Sequence, residues 1–336
     1  MLRFANYFES RLGRADGNPT YVQACLKRMQ YHGDIAAGRQ ANKDLLQWFG
    51  TQDGKTWQVD PRAEQSMKNF FEKHKDTFEI DHIYPTGELD MFGTYDLNLW
   101  VDWGEDGLTG VLPYKPIECP KPMAYWASDT HLGYDYRLSM AKKADYVFCA
   151  QKRAVEDMKR DGIANPLWLP HAVEPLAYPK SENVTKNFDV CFIGHVNSRN
   201  REEAIDRLFK EFPNFDYGQA LFEKAAARYG NSKICFNISM LDDINMRCFE
   251  IMATGSFLLT NWIPTIGEFF EDGTHLALYR SEEEMVEKAR YYLAHDEERE
   301  KIAQAGYEEV MAKHTIQNRV DVILAEFMKS RSLVNA

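Results

Sequence analysis

Short apolar runs alternate with amphipathic stretches along the whole chain. In the first half, apolar runs at 97–103, 123–126 and 146–149 predict buried strands, and helical periodicity at 136–143 and 153–160 predicts helices among them. The chain opens with a short strand at 2–7, a glycine-rich turn at 13–19 and a helical pattern. Strand, turn and helix in this order predict a doubly wound α/β domain.

The second half repeats this rhythm after a polar stretch at 170–187. A buried strand at 188–193 starts it, and helices at 201–210 and 220–229 alternate with strands ending at 217 and 239. A further helix ends at Thr254, where Gly255 supplies a left-handed stop, and a strand follows at 257–260. Ser281 and Glu284 form a capping box, and two more helices begin near 296 and 315. For 336 residues, two cores are expected.

Composition narrows the possible partners. With 44% hydrophobic, 27% charged and 13% aromatic residues, the chain is predicted to be globular. A net charge of -11 disfavours nucleic acid as a partner, because it repels phosphates unless basic side chains are segregated. No apolar run is long enough for a membrane span, and the charged first 17 residues do not resemble a signal peptide. We therefore expect a cytoplasmic protein.

The cysteines and histidines do not predict a metal site. The six cysteines are scattered without a Cys-x-x-Cys pair, which favours buried reduced thiols over disulfides or zinc. The nine histidines show no His-x-x-x-His spacing, and no two aspartates lie two positions apart. We expect neither a metal nor a bound cofactor.

Polar residues follow the strand at 188–193, at the edge of the sheet where α/β folds bind ligands. This loop runs into a helix and offers backbone N–H groups and guanidinium groups to a pyrophosphate. A solvated turn whose arginines face water explains the same pattern. The candidate binding residues of the loop are Gly194, His195, Asn197, Arg199 and Arg201.

A second candidate cluster spans 242–256. Arg247 and Glu250 lie three positions apart and hence on one helical face, and Asp242 precedes Glu250 by eight positions. A carboxylate near a helix start is able to accept both hydroxyls of a ribose. A surface Arg–Glu pair explains the spacing equally well.

Three segments together resemble a known family: Ser232-Lys-Ile-Cys-Phe-Asn-Ile-Ser239, Arg247-Cys-Phe-Glu250-Ile-Met-Ala-Thr-Gly255, and Lys313-His-Thr315 with Arg319. They look like the carboxyl-terminal domain of group 1 glycosyltransferases, in particular the CgeB-like branch. The resemblance implies the GT-B fold, in which two Rossmann-like α/β domains face each other across a cleft. The implied domains are an acceptor-side domain at 1–175, a nucleotide-sugar-binding domain at 188–314, and a helix at 315–336 that crosses back to the first domain.

The resemblance also implies roles for individual residues. Glu250 would bind the donor ribose, and Asp242 stands where the family has a glutamate that touches the transferred sugar. Arg199 or Arg201 would hold the diphosphate, with Gly194 allowing its approach. The remaining predicted donor-site residues are Asn237, Arg247, Tyr217 for the base, and Gly255 with Ser256 beside the phosphates.

The first half contributes the acceptor-side candidates. His131 follows the predicted strand at 123–126 and would face the donor, with Asp129 as its neighbour or as an acceptor-side base; a turn histidine bonded to backbone is the alternative. Gly13 and Arg14 lie in the first glycine-rich turn. Trp100, Trp103 and Trp126 near strand ends either stack on sugar rings or, as we favour, belong to the core.

The predicted function is transfer of a sugar, hexosyltransferase-like, from a nucleotide-diphosphate sugar to a glycan, protein, small molecule or modified nucleic acid. If the anomeric configuration is retained, the leaving diphosphate accepts the proton and no protein nucleophile is needed. This agrees with the absence of a Ser–His–Asp signature. A nucleotide-sugar epimerase and a non-catalytic nucleotide-sugar-binding module are the alternatives.

Overall fold

A computed structural model describes residues 2–8, 78–83, 97–102, 121–175, 177–181, 183–196, 198–220, 222–241 and 243–334. The chain divides into two compact units, one formed by residues 1–170 with 323–336, and one formed by residues 171–322. Each unit contains its own parallel sheet. The domain limits inferred from the sequence stay predictions.

The first unit contains a six-stranded sheet in the order β2-β1-β3-β4-β5-β6, in which every recorded pairing is parallel. Its strands are β1 Leu2–Phe8, β2 Phe78–Ile83, β3 Leu97–Asp102, β4 Met123–Ala127, β5 Tyr146–Cys149 and β6 Leu167–Trp168. A short 3-10 helix, Thr130–Leu132, and the helices α1 Tyr134–Ala141 and α2 Lys152–Arg160 lie between the later strands. The strands predicted around 2–7, 97–103, 123–126 and 146–149 are confirmed.

Buried polar groups fix the loop that follows β4. Arg137 is only 1% exposed, and its Nε donates to the carbonyl oxygen of Ser128 at 2.7 Å. Trp126 is buried, and its indole N–H donates to the carbonyl oxygen of Leu169 at 2.8 Å. Trp126 therefore belongs to the core, as favoured from the sequence, and is not a surface for sugar stacking.

The second unit contains a five-stranded parallel sheet in the order β11-β10-β9-β7-β8. Its strands are β7 Phe188–Ile193, β8 Phe215–Gly218, β9 Ser232–Asn237, β10 Leu258–Asn261 and β11 Ala277–Tyr279. Its helices are α3 Arg199–Glu211, α4 Phe222–Gly230, α5 Met246–Ala253, α6 Glu282–Ala294, α7 Asp296–Lys313 and α8 Ile316–Val334, the last continuing into the first unit.

Apolar strands and capped helices account for this second unit. β7 and β9 are central in the sheet, and Val190, Phe192, Ile234 and Phe236 are completely buried. Ser281 accepts a hydrogen bond from the backbone N–H of Glu284, so the predicted N-cap is confirmed, while the Glu284 carboxylate accepts from the N–H of Arg280, not from that of Ser281 as in a full capping box. Gly255 has φ 71°, the left-handed conformation predicted for the stop after α5.

His314 lies in an aromatic cage between α7 and α8. Its ring contacts Phe249, Phe269 and Phe270 at centroid distances of 5.5, 5.2 and 5.1 Å. Arg319 Nη2 lies 3.1 Å from His314 Nδ1, and because a guanidinium only donates, Nδ1 accepts and the neutral ring carries its proton on Nε2. Burial, and next the charge of Arg319, lower the pKa of His314 to about 3.

The low pKa of His314 predicts acid lability. An unfolded histidine takes up a proton near pH 6.5, whereas the folded one resists protonation until about pH 3, so stability present above pH 6.5 is lost as the pH falls through this window. His314→Asn keeps an acceptor for Arg319 without a titrating ring. We expect urea unfolding between pH 4 and 6.5 to show a shallower loss of stability, by up to about 1.4 kcal/mol per pH unit, in the variant. Parallel pH profiles would contradict this.

Candidate functional site

The order of strands in the second unit predicts that a ligand would bind at one edge of the sheet. β7 pairs with β8 on one side and with β9 on the other. The chain therefore runs from β7 to one side of it, to β8, and then crosses to the opposite side, to β9. Ligands of open α/β sheets bind outside the carboxyl ends of the strands at such a switch point. Gly194 directly follows β7 and Asn237 ends β9, so both lie at this edge.

The guanidinium group of Arg247 occupies the space above Gly194. A Cβ atom at position 194 would lie 2.7 Å from Arg247 Cζ, so only glycine leaves room for this packing. Arg247 Nη1 donates to Asn237 Oδ1 at 3.0 Å, and Arg247 Cζ lies 4.9 Å from the ring centroid of Phe192. These contacts bring a residue at the start of α5 over the end of β7.

Asn237 fixes the orientation of the Arg247 side chain. The side chain is completely buried, and its Oδ1 accepts hydrogen bonds from both Arg247 and Asn245. Its Nδ2 lies within hydrogen-bond distance of three further groups, on Ser239, Cys248 and Thr260. Because its carboxamide is engaged by protein atoms on both ends, Asn237 positions Arg247.

Arg201 brings a second guanidinium to the same edge. It is 8% exposed, and its two terminal nitrogens donate to the carbonyl oxygens of His195 at 3.3 Å and Ile238 at 3.0 Å. Burial, and next the positive charge of Arg247, lower the pKa of Arg201 to about 10. The two guanidinium groups therefore lie close enough to repel each other, and a bound anion would offset this repulsion.

Arg199, the alternative to Arg201 in the sequence analysis, lies elsewhere on α3. Its side chain is 85% exposed and forms an ion pair with Glu203 one turn later, at 2.6 Å. Ser198 caps the helix by accepting from the backbone N–H of Arg201 at 3.4 Å. Near the start of α3, the side chain of Arg201 is therefore buried, whereas that of Arg199 faces solvent.

Glu250 lies on α5 beside two buried tyrosines. Tyr178 is 5% exposed and Tyr229 is 2% exposed. Burial, and next the negative charge of Glu250, raise the pKa values of both Tyr178 and Tyr229 well above the usual range. Both phenols thus stay protonated at neutral pH, close enough to Glu250 to be influenced by its charge.

The turn after α5 is closed by its own hydrogen bonds. Thr254 Oγ1 donates to the carbonyl oxygen of Ile251 and lies 2.8 Å from Ser256 Oγ. Ser256 is 1% exposed, so its hydroxyl group is enclosed, whereas the Gly255 backbone is half-buried. Any contact of this turn with a phosphate would come from the backbone of Gly255.

Tyr217 lies at the edge strand β8. It is 53% exposed and stacks on Phe192 with ring centroids 6.4 Å apart. Together with Phe209, Phe215 and Arg199 it lines an open concavity of about 770 Å³. An exposed aromatic ring beside a concavity is compatible with the predicted base pocket, which stays a prediction. His195 is exposed at the end of β7.

Only some of the site residues predicted in the first half of the chain lie within the described residues. Asp129 and His131 directly follow β4 in the first unit; Asp129 has φ 45°, and His131 is exposed in the short 3-10 helix. Their predicted roles towards the donor and acceptor stay predictions. The predictions for Gly13, Arg14, Trp103, Asn197, Asp242 and the side chain of Trp100 lie outside the described residues.

Comparison with known proteins gives a family match for part of the chain and a fold match for nearly all of it. A family model described as "Glycosyl transferase-like" matches residues 185–325, which is less than half of the chain and includes the whole Arg201–Arg247–Glu250 region. No curated protein sequence matches the chain. The CgeB-like branch stays a prediction.

Two solved structures align with nearly the whole chain. HepE of Anabaena, in complex with UDP and glucose, is 12% identical and has a TM-score of 0.55, with 98% of this chain and 100% of that chain covered. Sucrose-phosphate synthase of Thermosynechococcus elongatus is 12% identical with a TM-score of 0.53, covering 99% of this chain and 100% of that one. The fold is GT-B.

A structure of S. aureus TarM, a mutant bound to UDP among other molecules, is also similar, at 12% identity and a TM-score of 0.47. The alignment covers 62% of this chain and 51% of TarM, so this chain spans about half the length of that relative. Within the part of the GT-B chain that the structure describes, no helix has both the length and the apolar character required to cross a bilayer.

The sequence analysis named Arg201, Arg247 and Glu250 as candidates but not Tyr178, a buried residue near Glu250. This tyrosine lies in the polar stretch before β7, where neither periodicity nor a motif distinguishes it. Asn237 was identified as a donor-site residue, but its burial and its contact with Arg247 depend on the strand order. The only sequence signal for such positioning residues is a polar side chain at the end of a buried strand.

The packing of Arg247 against Gly194 yields a direct test. Gly194→Ala would push the guanidinium away from Asn237 but meets only the end of a flexible side chain, so we expect a loss of about 1 kcal/mol of stability. Affinity for inorganic pyrophosphate, measured by calorimetry, is expected to fall about tenfold or more. Gly267→Ala is the matched control, because a Cβ there has no neighbour within 4 Å. Unchanged pyrophosphate affinity in Gly194→Ala would contradict this geometry.

Proposed function

We propose that the protein is a glycosyltransferase that moves a sugar from a nucleotide-diphosphate sugar to an acceptor. The observation that carries the proposal is the pair of inward guanidinium groups, Arg201 and Arg247, at the carboxyl edge of β7 and β9. The match of residues 185–325 to a glycosyl transferase-like family supports it. HepE, a GT-B structure in complex with UDP and glucose, makes UDP the natural first probe.

The arginine pair fits a diphosphate better than a single negative charge. Guanidinium groups bind phosphate oxygens through paired N–H donors, and two of them offset the two charges of a pyrophosphate. Sugar transfer breaks the bond between the anomeric carbon and the diphosphate oxygen, so negative charge develops on that oxygen in the transition state. Donors fixed beforehand at this position lower the barrier.

Fixed guanidinium groups also offer an alternative to a metal ion. In our proposal Arg201 and Arg247 supply the positive charge that a divalent cation would otherwise bring to the diphosphate. Their placement depends on protein hydrogen bonds to Asn237 and to two backbone carbonyl groups. Binding of the nucleotide diphosphate is therefore expected to persist in EDTA.

The remaining steps are assigned to other candidate residues of the two units. Glu250 accepts the ribose hydroxyls, and Tyr217 contributes to the base pocket. The acceptor hydroxyl forms the new bond to the anomeric carbon, and its proton passes to the departing diphosphate, so that configuration is retained without a protein nucleophile. Asp129 and His131 act on the acceptor side of the reaction.

Donor binding is tested with two arginine variants of the same type. We expect UDP, GDP, dTDP, ADP or CMP to raise the melting temperature of the wild type, since a ligand of the native state stabilises it. Arg247→Ala removes charge-assisted hydrogen bonds of roughly 1.5–3 kcal/mol and should weaken binding about 10- to 100-fold. Arg290→Ala, which removes an exposed arginine paired with Glu211, should change affinity less than about threefold.

The outcomes separate the candidate functions. Hydrolysis of a nucleotide sugar or its transfer to an acceptor, lost in Arg247→Ala, supports the transferase. Nucleotide binding without turnover would leave a binding module, and interconversion of two nucleotide sugars would identify an epimerase. If no nucleotide shifts the melting temperature, the proposal is wrong.

A further inference from the structure

The loop that follows β9 is held by the side chain of Asn261 at the end of β10. The backbone N–H of Ser239 donates to Asn261 Oδ1 at 2.6 Å, and Asn261 Nδ2 donates to the carbonyl oxygen of Ser239 at 3.1 Å. We propose that Asn261 is a positioning residue that fixes the peptide group between Ile238 and Ser239, and so holds Arg201 in the orientation that binds a diphosphate. This inference rests on the proposed function, because the diphosphate belongs to the donor of that reaction.

One peptide group links the asparagine to the arginine. Its N–H belongs to Ser239 and donates to Asn261, and its carbonyl oxygen belongs to Ile238 and accepts from Arg201 Nη2 at 3.0 Å. Because a peptide group is planar, fixing the direction of the N–H also fixes the direction of the carbonyl group. Hydrogen bonds in such a chain polarise one another, so the bond to Asn261 makes the carbonyl oxygen a stronger acceptor for the guanidinium group.

Asn261 is itself held on a rigid element. β10 is an internal strand of the sheet, in which Thr260 pairs with Asn237 of β9, and Asn261 pairs with Tyr279 of β11. The backbone N–H of the next residue, Trp262, donates to the carbonyl oxygen of Tyr279 at 2.7 Å. The asparagine side chain therefore continues the contact between β9 and β10 beyond their paired residues, with a carboxamide group in place of a backbone peptide.

The carboxamide of Asn261 bonds to protein atoms at both of its ends. Its oxygen accepts from Ser239 and lies 3.4 Å from Thr260 Oγ1, and its nitrogen donates to Ser239. Ser239 is only 5% exposed, so its backbone groups depend on this side chain for their hydrogen bonds. Asn261 thus acts on a ligand through the loop and not by direct contact.

Loss of this side chain would be felt at Arg201. Without the carboxamide, the buried N–H and carbonyl groups of Ser239 are left unsatisfied, which is unfavourable, and the loop turns to bring them to water. The carbonyl group of Ile238 turns with them, and of the two backbone acceptors of Arg201 described above, only that of His195 keeps its place. A guanidinium group that is not fixed before binding has to be ordered on binding, which lowers the affinity for the ligand.

The test compares asparagine substitutions in the full chain. Asn261→Ala removes the carboxamide, and Asn261→Leu, which fills a similar volume without hydrogen-bonding groups, replaces it if the alanine variant does not fold. Asn214→Ala is the matched control. The Asn214 side chain also donates to a backbone carbonyl oxygen, that of Asn187 at 2.8 Å, but it directly precedes β8, at the opposite edge of the sheet.

Each substitution is made in the wild type and in Arg201→Ala. Calorimetry measures the affinity for inorganic pyrophosphate, and thermal melting verifies that each variant is folded. This double-mutant cycle separates an effect that passes through Arg201 from an effect on the rest of the loop.

We expect Asn261→Ala to weaken pyrophosphate binding about five- to tenfold in the wild type, the effect of losing roughly one hydrogen bond. In Arg201→Ala the same substitution should weaken binding less than about twofold, because no guanidinium group remains for the peptide to hold. Asn214→Ala should change the affinity less than about twofold in both backgrounds. A general defect of the loop would instead persist in Arg201→Ala, since the loop also leads to Arg247.

Two results would overturn the positioning role and leave the diphosphate site intact. One is an unchanged affinity in Asn261→Ala, and the other is a loss of equal size in the wild type and in Arg201→Ala. If the wild type does not bind pyrophosphate, or if Arg201→Ala binds it as tightly as the wild type, the proposed diphosphate site itself fails, and this inference with it.

Discussion

The guanidinium groups of Arg201 and Arg247 repel each other, and the surrounding residues of the candidate site hold both in place. Arg201 bonds to two backbone carbonyl groups, and Arg247 bonds to Asn237, which is buried completely. The lowered pKa of Arg201 shows that burial and the neighbouring charge work against its protonated form. Keeping two positive charges buried and close together is energetically unfavourable in the free protein. Such an arrangement is typical of binding sites, because the opposite charge of a ligand offsets the repulsion.

This arrangement depends on strand order more than on any single motif. Because β7 and β9 are neighbours, the loop after β7, the end of β9 and the start of α5 converge. The absence of a side chain at Gly194 then lets the Arg247 guanidinium cross over the end of β7. A different order of the same strands would leave the same residues on separate parts of the surface.

The sequence was sufficient for most elements of the second unit, since buried strands are almost continuously apolar and helices carry caps such as Ser281. It missed β11 of this unit and, in the first unit, β6 and the six-residue strand β2; β11 and β6 are too short to show a period. It also left Arg199 and Arg201 undecided. Two residues apart on a helix they face different directions, and only the packed structure shows that Arg201 is 8% exposed while the Arg199 side chain is 85% exposed.

Interactions across long sequence distances were the least predictable part of the site. Tyr178 precedes Glu250 by more than seventy positions, and its segment reads as a polar connection between two domains. Three residues later, however, the backbone N–H of Ser181 donates to the carbonyl oxygen of Thr254, which directly follows α5, so the segment belongs to the same local structure as the helix. The connecting segment before β7 and the helix that carries Glu250 are therefore packed together, although they lie far apart in the sequence.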